Sequence, residues 1–115
     1  MQKILLVFFF MLFTSIAFSQ KFRIVENSRI AKVAAKIKKE DKYAVTFGKT
    51  IFINCTKEEF FAEPWWVRHE LVHVEQYKKY GIPRFLTLYL LYSIFHHYAD
   101  IPFEKEAISA EKLEE

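Results

Sequence analysis

Apolar positions run unbroken from 4 to 13, directly behind Lys3, and then give way to mixed sequence. Ala17-Phe18-Ser19 supplies a small-x-small pattern before Gln20, so residues 1–19 read as a signal peptide with cleavage expected after Ser19. An apolar stretch of roughly ten to fifteen residues is short for a membrane span, which needs about twenty; an uncleaved N-terminal anchor is the alternative. Beyond the leader the pattern changes. Ile30, Val33, Ala34 and Ile37 recur at helical spacing. They predict a helix from a cap at Asn27 or Ser28 to about Lys39, with that stripe buried. Residues 43–47 and 50–53 are rich in β-branched and aromatic side chains. Gly48-Lys49 between them predicts a tight hairpin or a bulge in one strand. Residues 65–80 contain neither Gly nor Pro. Pro64 suits the first position of a helix there, and Gly81 and Pro83 suit its end. Pro83 opens a further helix to about Tyr98, apolar nearly all round, which implies burial in the core or contact with a membrane or partner. Asp100 can cap a last helix beginning around Ile101-Pro102.

Helices and short strands in this order predict a small, mostly helical α+β domain over residues 20–115, helices packed on a short sheet or hairpin. Roughly 95 residues make one domain with a modest core. The charge balance is +3, from 17 Lys and Arg against 14 Asp and Glu, and gives no reason to expect a nucleic-acid partner. The lysines between 32 and 42 read as the solvated face of a helix. Cys55 is the only cysteine, so an internal disulfide is excluded, and it reads as a small buried apolar residue. A small exported domain without disulfides gains from another staple, a role a bound metal can fill.

The chemistry concentrates at His69-Glu70-Leu71-Val72-His73. On a helix, residues four apart lie one above the other, so His69 and His73 can aim two imidazoles at one zinc ion. Glu70 lies about 100° round the helix from His69. It is poorly placed as a ligand and well placed to take a proton from a water that the metal activates. A hydrolytic zinc site usually keeps three protein ligands and one open position. The downstream candidates for the third are His96, His97, Glu104 and Glu106. His96 and His97 diverge by about 100°, so at most one of them faces a site. One of these histidines, or Tyr92 or Tyr98, can stabilise a developing oxyanion. A histidine capping the end of its helix is the structural alternative. Gln76, seven residues after His69, can hydrogen-bond near the metal or face solvent as a plain amide. Trp65 and Trp66 read as packing at the start of the helix.

These segments resemble a family. The run 69–76, then Tyr80-Gly81, then Pro102-Phe103-Glu104-Lys105-Glu106-Ala107, is similar to small zincin-type metallopeptidase domains of the glutamate-ligand (gluzincin) kind. The strand before the motif is similar as well, and the resemblance covers roughly residues 43–110. It implies a zincin-like fold, a Zn2+ cofactor, a peptide or protein substrate and zinc-dependent peptide-bond hydrolysis with Glu70 as general base. It also implies a third ligand from a later helix followed by Ala three residues on. Glu104 with Ala107 fits that spacing, and Glu106 is the alternative ligand. Many gluzincins carry an Asp four residues after the ligand, where this chain has Ile108; Gln76 can compensate. A non-catalytic domain of the same ancestry, its zinc structural or its fold used to bind a partner, is the rival expectation. The leader implies export to a periplasmic or extracellular location, with membrane contact through residues 4–18 or 85–95 as a further option.

Overall fold

The structure is a computed structural model and describes residues 22–112. The leader, its cleavage after Ser19 and the anchor alternative lie outside the described residues.

The elements run β1 (Arg23–Val25), α1 (Arg29–Lys38), β2 (Ala44–Phe47), β3 (Thr50–Ile53), α2 (Lys57–Phe61), α3 (Pro64–Tyr80), α4 (Ile82–Phe95), a single 3-10 turn (Tyr98–Asp100) and α5 (Pro102–Glu111). Among the described residues, five helices pack on a three-stranded mixed sheet of order β1-β3-β2, the α+β architecture expected. β2 and β3 form the expected hairpin, with Phe47 opposite Thr50 and Gly48-Lys49 as the loop. Gly48 carries φ +64, the positive value that a two-residue hairpin loop needs at its first position. β1 pairs in parallel with β3 and was not apparent in the sequence; at three residues it is too short to show a period. Central β3 alternates strictly, with Ile51 and Ile53 fully buried.

The helix caps follow local chemistry. Ser28 Oγ accepts from the Ala31 N–H to start α1, while Asn27 lies before it. Thr56 and Glu59 form a reciprocal capping box on α2. Pro64 and Pro102 open α3 and α5, where a missing N–H is harmless. The last helix is flanked by Ile101 and not Asp100, which belongs to the 3-10 turn.

Burial differs from expectation in α1 and falls short of full in α4. In α1 the buried side chains are Ala31 and Ala35, whereas Ile30, Val33 and Ile37 are exposed. Alanines let the helix lie close to the sheet, and the large residues point away from it. In α4 only Phe85 is buried, with Leu88, Tyr89 and Tyr92 partly so. That stripe packs on Tyr77, Ile101 and Phe103, and Leu90, Leu91, Ile94 and Phe95 on the other side are exposed. The helix is therefore a covering element with a bare apolar back, not a central core helix. The main core lies between sheet and α3, where Phe60 meets the Trp66 ring edge-on at 4.8 Å and Cys55 is buried beside them.

Candidate metal centre

α3 crosses the domain with its motif face turned toward α5, and these two helices form the most extensive packing in the fold. His69 and His73 lie one turn apart on that face, both buried. Glu104 occupies the first turn of α5, where the helix dipole favours a carboxylate. Its Oε1 lies 3.1 Å from His69 Nε2 and 3.2 Å from His73 Nε2. One donor atom from each of the three residues falls within 4.8 Å of the others. Two donors about 2.0–2.1 Å from one tetrahedral zinc stand about 3.3 Å apart. The three atoms are therefore spaced as ligands around a metal ion, and the trio can hold one.

The outer nitrogens of both imidazoles are engaged. His69 Nδ1 lies 2.7 Å from Glu111 Oε2, a carboxylate that can only accept, so the proton sits on Nδ1 and Nε2 points inward. Gln76 donates through Nε2 to the Phe103 carbonyl at 3.0 Å and to Glu106 Oε1 at 2.7 Å. Those two acceptors fix the amide, so Gln76 Oε1 accepts from His73 Nδ1 at 2.9 Å. Gln76 is thus a buried partner of His73 and not a solvent-facing amide. Glu106 holds Gln76 and stands outside the trio. Arg68 clasps the end of α5, donating from Nε to the Ala110 carbonyl at 3.0 Å and from Nη2 to the Glu111 carbonyl at 2.9 Å. It thereby places Glu111 against His69.

Glu70 is buried and points toward the sheet, accepting from Thr46 Oγ1 at 2.7 Å. Burial raises its pKa, with His73 and His69 pulling the other way. Burial likewise acts against charge on Glu104, but the hydrogen bonds of His69 and His73 outweigh it and hold the carboxyl below its usual range. For His69, burial works downward and is overcome by Glu104, Glu70 and Glu111, leaving the imidazole pushed up to about 9. For His73 burial again works downward, and Glu104, Glu70 and Gln76 together raise it. Proton and metal compete for these lone pairs, so a metal would displace the protons on binding.

The trio and Glu70 line a cleft of about 610 Å³ between β2 and α4. Tyr89 donates to Glu104 Oε2 at 2.7 Å, and Tyr98 also lines the cleft. Desolvation first, then the Glu104 charge, raises the pKa of both phenols, which stay protonated donors. His96 and His97 are exposed and do not line the cleft; His96 caps the end of α4 beside Tyr92, the structural alternative. Trp66 packs in the core as expected, whereas Trp65 is half exposed at the cleft.

Sequence reasoning did not single out Thr46, Arg68, Tyr89 or Glu111. Glu111 had a usable signal, since it follows Glu104 by seven residues and so shares its helix face. It accepts from His69 Nδ1, whereas Ile108 lines the cleft. No protein-family model, curated protein or solved structure matches the chain.

Proposed function

We propose that this chain is a metal-dependent peptide hydrolase, with zinc as the metal held by His69, His73 and Glu104. The observation that carries the reading is the convergence of two imidazole Nε2 atoms on one Glu104 oxygen, beside a buried Glu70 in the same cleft. Two nitrogens and one carboxylate oxygen are a donor set that suits zinc in a hydrolytic site. When bound, the metal supplies a positive charge that polarises a carbonyl and acidifies water. Glu70, its basicity raised by burial, accepts the proton of the attacking water and delivers it to the leaving amine. Thr46 holds one Glu70 oxygen, and Glu70 lines the cleft. Tyr98, a protonated donor at the cleft wall, hydrogen-bonds Glu104 and would have to leave it to meet developing negative charge. β2 is an edge strand that lines the cleft, so an extended peptide can add to it as a further strand.

A non-catalytic reading draws on a different observation. The Glu104 carboxylate already has His69, His73 and Tyr89 as partners, so the trio is satisfied as a polar cluster. Chelation followed by metal replacement separates the two. The hydrolase cleaves unstructured peptides when loaded with zinc, loses that activity to a chelator and regains it with added zinc. Stoichiometric zinc with no cleavage across a broad peptide library favours the non-catalytic domain. Absence of stoichiometric zinc removes the metal reading altogether.

Glu111→Gln tests how the trio is supported. The amide retains the size of the carboxylate but not the charge that makes His69 a stronger donor. Metal affinity is expected to fall about 10–100-fold, as for other partners of metal-bound histidines. Competition against a chromophoric chelator measures it, and unchanged affinity would show that Glu111 does not tune His69.

A further inference from the structure

The bare side of α4 and the outer side of α1 are not used by the proposed active site. Phe95 is 78%, Ile94 65% and Leu90 63% exposed on α4, and Ile37 is 73% exposed on α1. Large apolar side chains exposed together on one helix face mark a surface that meets something other than water. At the end of α1, Lys38 Nζ lies 5.6 Å from the ring centre of Tyr98, in the 3-10 turn just beyond α4 and at the cleft wall.

We propose that this surface docks on the interface of an anionic lipid bilayer, α4 and α1 lying in the plane of the membrane with the cleft beside them. Charge selects this occupant. α1 carries Arg29, Lys32, Lys36 and Lys38 with no acidic residue, and α4 carries Arg84 with none. Acidic residues lie only beyond these two helices, the nearest being Glu26, Glu40, Asp41 and Asp100. A second copy of the chain would bring the same cations face to face. Residues 1–21 contain Lys3 and Lys21 and no Asp or Glu, so they carry no complementary charge either. Anionic headgroups do, and basic helices with an apolar face settle at that interface. α4 has 14 residues, and no helix among the described residues is long and apolar enough to cross a membrane. The geometry is that of a helix lying on the bilayer and not through it. The inference is independent of the metal reading.

Hydrogen–deuterium exchange of the full chain tests it, using vesicles of phosphatidylcholine alone or doped with phosphatidylglycerol. The anionic vesicles are expected to slow exchange several-fold over residues 29–39 and 86–98 and to leave β3 and α5 unchanged. A Leu90→Glu, Ile94→Glu double variant should lose that protection in both helices. Both sites are exposed, so its melting temperature should match wild type. Lys32→Glu with Lys36→Glu should weaken the protection by at least about 30-fold in lipid concentration. Reading protection at these helices separates face docking from any attachment through the leader. Three results overturn the proposal: no protection at α1 and α4, equal protection by neutral vesicles, or concentration-dependent protection without lipid. The last would identify an interface between copies.

Discussion

Glu70→Gln is expected to leave the fold and the metal in place while hydrolysis falls by at least about 10²–10⁴-fold, the contribution of a general base. The substitution is nearly isosteric. Its amide oxygen can still accept from Thr46 Oγ1, so the contact that ties α3 to β2 survives. What disappears is the ability to take a proton at neutral pH. Matched measurements on wild type and variant should therefore show equal zinc content, similar melting and very different cleavage of unstructured peptides. Equal, metal-dependent cleavage by both proteins would sink the assigned role. A lower melting temperature with proportionately little kinetic loss would mark Glu70 as a structural group.

Removal of Glu104 should cost more metal than any other single change on α5. Glu104→Ala takes away the oxygen on which both histidines converge and leaves Tyr89 without its acceptor. Zinc affinity is expected to drop by more than the roughly 100-fold upper range seen for outer partners. Glu106→Ala removes one of two acceptors from Gln76, which keeps its bond to the Phe103 carbonyl. Its loss should stay within about tenfold. Alanine at both His69 and His73 should abolish stoichiometric zinc. Elemental analysis of the four proteins decides the matter, and zinc retained in the double histidine variant would refute the site.

The readable parts of this chain were those written in local spacing. The hairpin, the bounds of α3, and the pairing of His69 with His73 follow from turn chemistry and from the rise of a helix. Glu104 is different, since no spacing brings residue 104 to residue 69; the resemblance to gluzincins singled it out, and the fold brings it there. The misread burial of α1 and α4 has one cause. Periodicity reveals which residues share a face but not whether another element covers it. Ile30, Val33 and Ile37 do share a face, and the sheet packs on the alanines instead. α2 was legible in principle through Thr56 and Glu59, three residues apart before Phe60. β1 was not, because parallel pairing with β3 depends on a partner more than twenty residues away. Arg68 and Thr46 act only through tertiary contacts, with the end of α5 and with Glu70.

Gly81 ends α3 and at the same time begins α4, at φ 84 and ψ 153, with no linker between the helices. The angle between the motif helix and the apolar helix is therefore governed by a single residue. His73 lies eight residues before that corner, about 12 Å along the axis of α3. With α4 resting on a bilayer, this corner would act as a ruler. If the trio also holds a metal, the same corner would fix how far that site stands from the lipid.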